Sequence, residues 1–218
     1  ITGRWALEIF TSFPDTEYFP KDKTICLGNP IRLSLLSGNK IEAEKNFNLH
    51  KKPLILVLGG SLGSQTINQI IIDILPDILN QFEIIHQTGI ANQKQAQAEA
   101  NVVLTKDQQQ YYHCLAFLNE KQLANALSAS DIVISRAGST IFEIALWAVP
   151  SIIIPIPEIT SHDQRTNAYS YARSGAAIVI EERNLTHGVL LAEIDRILSN
   201  PAEIQKMKES ATVFARKD

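Results

Sequence analysis

Along residues 51–200, short and nearly continuous apolar runs alternate with longer stretches whose apolar residues recur three or four positions apart. The runs Leu54–Leu58, Phe82–His86, His113–Phe117, Ile132–Ile134, Ser151–Ile154 and Ala177–Ile180 have the length and composition of strands buried on both faces. Between them the spacing predicts helices over Ser64–Asn80, Ala91–Ala100, Glu120–Ser128, Ser139–Trp147, Asp163–Ser174 and Thr186–Ser199. In the first helix Ile67, Ile70, Ile71, Ile74 and Ile78 make one apolar stripe, which reads as core. Repeated strand–helix units of this size predict an α/β fold, a Rossmann-like doubly wound parallel sheet. Asn119 suits the cap of the helix at Glu120, and Ser139 suits the cap of the next. Gly175 suits the left-handed residue that closes the helix ending at Ser174. Pro201 is placed to open a last helix reaching Ala215.

The first fifty residues break this rhythm. Ile1–Phe13 reads as an amphipathic helix, Phe13–Lys23 as a turn-rich connection, and Thr24–Leu27 as a short strand before Gly28-Asn29-Pro30. Residues 33–52 are polar and rich in Asn and Lys, as in a surface helix and linker. The chain starts on Ile1 inside the first expected helix, and so reads as a piece of a longer protein. The expected organisation is a remnant of a preceding domain over 1–30, a hinge or linker over 31–50, a ligand-binding domain over 51–200 and a C-terminal helix over 201–218.

Charge and cysteines narrow the chemistry. A formal net charge of −3 argues against affinity built on nucleic-acid phosphates, and no nucleic-acid partner is expected. Cys26 and Cys114 lie far apart with no CxxC spacing, which excludes a zinc site or redox pair built on them. The longest uncharged apolar stretch, Ile144–Pro157, is too short to span a bilayer.

Hydrogen-bonding groups gather at the ends of the expected strands, the edge at which open α/β sheets bind ligands. After Ile132–Ile134, the small-residue turn Arg136-Ala137-Gly138-Ser139-Thr140 opens a helix with Glu143 in its first turn. A carboxylate there can accept from a ribose diol, or can simply favour the helix dipole. Leu58-Gly59-Gly60-Ser61-Leu62-Gly63-Ser64-Gln65 leaves a strand and opens a helix. Its glycines would let a ligand approach the backbone, helix-terminal amides favour an anion, and Ser61 and Ser64 add hydroxyls. It lacks the GxGxxG spacing and the lysine of a P-loop, and a tight packing turn would use the same glycines.

His162-Asp163-Gln164 follows Pro155 and Pro157, with amide and carboxylate groups suited to sugar hydroxyls; a plain helix start at Asp163 is the alternative. Asn167 could orient that loop. His86-Gln87-Thr88-Gly89 leaves a strand at the same edge, either as a simple exit or in an orienting role. Arg32 could meet a phosphate or stay solvated. His113 and Cys114 sit at a strand start, hence at the opposite edge, and are rejected as a catalytic pair. His162 has no His or Cys at ligand spacing, so no metal site is expected.

In chain order, Gly28-Asn29-Pro30-Ile31-Arg32, Gly59-Gly60-Ser61-Leu62-Gly63-Ser64, His86-Gln87-Thr88-Gly89, Arg136-Ala137-Gly138-Ser139 with Glu143, and His162-Asp163-Gln164 with Asn167-Ala168 are together far more specific than any one of them. Over nearly the whole chain they resemble glycosyltransferase family 28. The likeness is to its bacterial members that add N-acetylglucosamine to undecaprenyl-pyrophosphoryl-muramyl-pentapeptide, turning lipid I into lipid II of peptidoglycan. The resemblance implies a GT-B fold of two Rossmann-like halves, this chain holding the C-terminal half that binds UDP-N-acetylglucosamine.

It implies diphosphate contacts from Gly60, Ser61, Gly63 and Ser64, and Phe117 and Leu118 facing the uracil. It places Ser139 and Thr140 at the donor beside Glu143, which would hold the ribose hydroxyls. Asp163 and Gln164 would meet the sugar, and Arg32 would sit near the nucleotide at the hinge. The family often carries Gln where Asp163 stands. By the same resemblance the general base, the undecaprenyl-linked acceptor site and the membrane-facing patch belong to an N-terminal half, so this chain alone is expected to be catalytically incomplete. No cofactor is required, though a Mg2+ ion could assist at the diphosphate. The implied setting is cytoplasmic and peripheral on the inner face of the plasma membrane, in cell-wall synthesis, cell shape and division. Two alternatives stay open: a UDP-sugar transferase of the same fold with another acceptor, and a non-catalytic nucleotide-sugar-binding subunit needing a membrane partner.

Overall fold

The computed structural model describes residues 5–13, 19–60, 62–157, 160 and 162–215, apart from the side chains of His162 and Asp163. A two-stranded parallel sheet, β1 (Ile9–Thr11) and β2 (Thr24–Cys26), comes first. A short 3-10 helix (Leu33–Ser37) and α1 (Lys40–Phe47) lead from it to the main unit. There the chain alternates as β3 (Leu54–Leu58), α2 (Gln65–Ile78), β4 (Glu83–Gln87), α3 (Gln93–Val103), α4 (Lys106–Gln109), β5 (Tyr112–Leu115) and α5 (Glu120–Ala129). It continues as β6 (Ile132–Ser135), α6 (Thr140–Leu146), β7 (Ser151–Ile153), α7 (His162–Arg173), β8 (Ala177–Val179), α8 (His187–Leu198) and α9 (Pro201–Ala215).

The six main strands are all parallel and ordered β5-β4-β3-β6-β7-β8. The order reverses between β3 and β6, which opens a crevice at their carboxyl ends. One row of register partners, Leu115, Gln87, Leu58, Ser135, Ile153 and Val179, crosses the whole sheet, so all six strands exit at one level.

The alternation within strands decides the core. Leu54, Leu56 and Leu58 point to one face with Val133 and Ile153, against α5, α6 and α7. Ile55 and Val57 point to the other with Ile132, Ile134 and Ile152, against α2, α3 and α8. Every residue of β3 is buried, as a central strand covered on both sides must be. Each such aliphatic side chain contributes about 1.5–3 kcal/mol on burial.

The expected strands and long helices stand within a few residues of where the pattern put them, and the doubly wound parallel sheet is observed. The caps divide. Asn119 forms a full capping box with Gln122, Gly175 adopts φ +87°, and Pro201 opens α9. Ser139 does not cap α6: its backbone is already helical and its hydroxyl makes no capping bond. The helix expected over Ile1–Phe13 is not formed in the described part, where Ile9–Thr11 is a strand paired with Thr24–Cys26. Pairing with a partner strand outweighs a weak local helical pattern there. The short helix α4 carries a Thr105–Gln108 capping box and no buried residue, so the apolar pattern gives no sign of it.

Residues 31–50 are not a free linker. Leu35, Ala43 and Phe47 are buried in the core, and the Trp147 indole N–H donates to the Leu35 carbonyl at 3.0 Å. A Cβ on Gly38 would lie 2.2 Å from the Ala124 carbonyl oxygen, so the chain presses directly on α5.

Candidate functional site

The crevice between β3 and β6 begins with the glycine loop. Gly60 (φ +92°) and Gly63 (φ +78°) hold conformations that other residues resist. Their surroundings differ. A Cβ on Gly63 would stand 2.0 Å from the Thr88 carbonyl oxygen, whereas a Cβ on Gly60 would meet nothing within 4 Å. Gly63 is therefore packing and Gly60 is open space above the backbone. Gln87 braces the loop from β4: its amide donates to the Gly60 carbonyl at 3.2 Å and its Oε1 accepts from the Leu118 N–H at 3.0 Å. Ser64 caps α2, its Oγ accepting from the Ile67 N–H at 3.3 Å. Ser61 lies outside the described residues.

Across the crevice, the Arg136 side chain lies along the tops of the strands. It donates to the Ile154 and Pro155 carbonyls at 3.1 Å each, to Ser64 Oγ at 2.6 Å and to the Glu182 carboxylate. The turn motif by itself assigns Arg136 no role, and a lone Arg among small residues is the one signal the sequence holds for it. Glu182 carried no signal, because only β8 brings it here.

Glu143 sits in the first turn of α6 and its Oε1 accepts from Arg32 at 2.7 Å. Arg32 also donates to Glu120 Oε1 at 3.0 Å, and Ser34 Oγ donates to Glu120 Oε2 at 2.5 Å. The Glu143 carboxylate, then Glu120, raises the Arg32 pKa above its ordinary value. The Ser34 and Arg32 hydrogen bonds hold Glu120 below the usual carboxylate range. Glu143 Oε2 has no partner among the described residues and stays available. Ser139 and Thr140 start the same helix, with open space beside Gly138. Phe117 is exposed at the exit of β5, while the Leu118 side chain is buried. The Leu118 N–H is already used by Gln87.

The α7 side completes the edge. Gln164 Oε1 is buried without a hydrogen-bond partner among the described residues, and Asn167 Nδ2 reaches the Ala137 carbonyl at 3.4 Å. The Asp163 side chain lies outside what is described. Nearby, Pro155, Pro157, Arg165, Glu181 and Glu182 line a cleft of about 190 Å3. Glu181 accepts from the Tyr169 hydroxyl at 2.8 Å and from Arg165 Nε at 3.0 Å, which together hold its carboxyl below the usual range.

Beneath the loop, His86 is fully buried, and burial alone pulls its pKa down to about 3. Asn68 Nδ2 donates to the Thr88 carbonyl at 3.0 Å, so Asn68 Oδ1 faces His86 Nε2 (3.1 Å) as acceptor. This assigns the proton to Nε2 and leaves Nδ1 to accept from the Tyr112 hydroxyl at 2.9 Å. His113 lies at the opposite edge, as expected, with Nε2 2.7 Å from the buried Glu83 carboxylate. Among the described residues no group of three His, Cys, Asp or Glu could hold a metal ion, and no helix is long and apolar enough to cross a membrane.

Comparison with known proteins matches residues 54–218 to the glycosyltransferase family 28 C-terminal domain. A UDP-N-acetylglucosamine–N-acetylmuramyl-(pentapeptide) pyrophosphoryl-undecaprenol N-acetylglucosamine transferase of Thermodesulfovibrio yellowstonii is 34% identical over 99% of this chain and 59% of its own. The enzyme of the same name from Clostridium tetani is 33% identical over 94% of this chain and 56% of its own. The chain thus spans less than two thirds of these relatives. Among solved structures, Acinetobacter baumannii MurG superposes with a TM-score of 0.72 at 26% identity, over 99% of this chain and 58% of that one. The UDP-GlcNAc 2-epimerase from Neisseria meningitidis, bound to UDP-GlcNAc, shares the fold at a TM-score of 0.65 and 16% identity, over 98% of this chain and 58% of that one.

Proposed function

The chain belongs to glycosyltransferase family 28, and from that premise we propose that its crevice binds UDP-N-acetylglucosamine as the donor part of an inverting transferase. The whole protein would pass N-acetylglucosamine to an undecaprenyl-linked muramyl-pentapeptide, as the curated relatives are named for doing. The observation that carries the reading is the convergence, at the point where strand order reverses, of an open glycine loop with a capped helix and a carboxylate with a free oxygen. The α2 amides and Ser64 suit the diphosphate. Glu143 Oε2 suits a ribose diol, and Gln164 Oε1 suits a sugar hydroxyl.

During transfer the diphosphate leaves with growing negative charge, and fixed amides at a helix N-terminus stabilise that charge without reorganising. A Mg2+ ion would join through the diphosphate oxygens rather than through a protein ligand set. The acceptor, the general base and a peripheral hold on the inner membrane face belong to parts outside this chain. The role would lie in peptidoglycan synthesis, and through it in cell shape and division.

Calorimetry with UDP and UDP-N-acetylglucosamine tests the reading. Both should bind, and Glu143→Ala should weaken UDP by about 1.5–3 kcal/mol through lost bonds to a charged group. No heat at millimolar ligand for folded protein would sink it. Unchanged UDP affinity in Glu143→Ala would remove that residue from the site.

A further inference from the structure

Ser64 has a hydroxyl whose acceptor capacity is already filled. Its oxygen accepts from the Ile67 N–H at 3.3 Å and from Arg136 Nη2 at 2.6 Å. A hydroxyl has two acceptor sites and one proton. Both neighbours are pure donors and cannot take that proton, and it has no acceptor among the described residues. Ser64 directly follows the turn closed by the Gly63 N–H on the Gly60 carbonyl (3.1 Å), and a Cβ on Gly60 would meet nothing within 4 Å.

Arg136 cannot easily turn away. Its Nη1 is fixed by the Ile154 and Pro155 carbonyls at the end of β7, and its Nη2 is shared between Ser64 and the Glu182 carboxylate beyond β8. The ion pair is largely buried, with the two side chains 12% and 17% exposed. With its charge met by Glu182, Arg136 is placed to polarise Ser64 rather than to leave its partners and grip an anion itself. A cation bonded to a hydroxyl oxygen makes the remaining O–H a stronger donor.

We propose that Arg136, held by Glu182, is a positioning residue that fixes Ser64 as a one-directional, strengthened donor to a diphosphate oxygen. This rests on the nucleotide-sugar reading of the crevice and adds to it how the anion is selected. A nucleoside without phosphates offers no acceptor at that point, so the Arg136–Ser64 pair should discriminate UDP from uridine while leaving base and ribose contacts alone.

The test measures uridine and UDP affinities of the 218-residue chain by NMR titration, for the unaltered protein and for Arg136→Met, Arg136→Lys, Ser64→Ala and the Ser64→Ala/Arg136→Met double variant. Ser64→Ala and Arg136→Met should each weaken UDP about tenfold, a scale set by charge-assisted hydrogen bonds, with uridine changed less than about twofold. The double variant should be no weaker than the singles, because both remove one device. If Arg136→Met does not fold, Arg136→Lys carries the same comparison, since Lys keeps the charge and loses the fork. Equal weakening of uridine and UDP would mean a merely structural role and would overturn the proposal. Losses that multiply in the double variant would mean that Arg136 meets the phosphate on its own, and would overturn it too. Failure of the unaltered chain to bind UDP at millimolar ligand would bring down the nucleotide reading itself and this proposal with it, a result distinct from the other two.

Discussion

The two edges of the main sheet carry similar chemistry put to opposite ends. At the edge where strands begin, the fully buried Glu83 carboxylate faces His50 Nδ1 at 3.1 Å and His113 Nε2 at 2.7 Å, and accepts from the His50 N–H at 2.8 Å. Asp131 accepts from the Leu54 N–H at 2.8 Å, and Lys52 donates to the Leu79 and Asn80 carbonyls while lying 3.3 Å over the Tyr111 ring. The Glu83, Asp131 and Lys52 charges each close on a neighbour. At the edge where strands end, among the described residues, Ser64 keeps a free proton, Glu143 a free oxygen and Gln164 a buried oxygen with no partner. A buried carboxylate between two imidazoles looks more like an active site than a glycine turn does. Ser151 Oγ, at the start of β7, is also buried without a partner among the described residues, so unused capacity marks the ligand edge only where it gathers beside the open glycine loop.

The largest expected effect tests the structural edge. Glu83→Ala strands the His50 amide and the two imidazoles, and should cost about 3 kcal/mol of stability in urea unfolding. Its folded fraction should bind UDP as the unaltered chain does, the reverse of Glu143→Ala. A Glu83 variant that stays stable yet loses UDP would erase the contrast between the edges.

The sheet and its flanking helices were legible because central parallel strands must be apolar on both faces, and Leu54–Leu58 announces that without ambiguity. The ligand edge followed from the same reading, since Gly59-Gly60 and Arg136–Ser139 directly follow strands. Illegible were the bonds that join distant segments. Nothing in Gln87 says that it ties Gly60 to Leu118, and nothing in Glu182 says that it holds Arg136. Such pairs depend on strand order, which local patterns do not encode. Arg32 shows an intermediate case: its place at the chain's junction with the main sheet follows from the sequence, but its hold on both Glu120 and Glu143 depends on the packing of residues 31–50 onto α5.

His86 sharpens the comparison from beneath the ligand edge, where a titratable group is closed on its neighbours as at the other edge. Burial lowers its pKa to about 3 in the folded chain, against 6.5 for a free side chain. Below pH 6.5 the unfolded chain therefore binds a proton that the folded chain refuses. Stability is full above that value and is lost as pH falls toward 3. The loss should be about 1.4 kcal/mol per pH unit, or about 2 kcal/mol by pH 5. Urea unfolding at pH 7 and pH 5 should show this loss, and His86→Gln should lose that part of the slope. An equal slope in the variant would mean that His86 is not the group responsible.

The smallest effect bears on the least satisfied atom. Gln164 Oε1 is buried on α7 with no partner among the described residues, a state that costs stability until something donates to it. Gln164→Ala should then leave the free protein as stable as before, or more stable by about 1 kcal/mol, because it removes an unmet acceptor rather than a bond. The same change should leave UDP affinity unaltered and weaken UDP-N-acetylglucosamine several-fold, since only the sugar would supply the missing donor. Two measurements of opposite sign at one residue separate a poised site from a packing fault. If Gln164→Ala destabilises the fold and binds both ligands equally well, its oxygen belongs with the closed chemistry of the opposite edge.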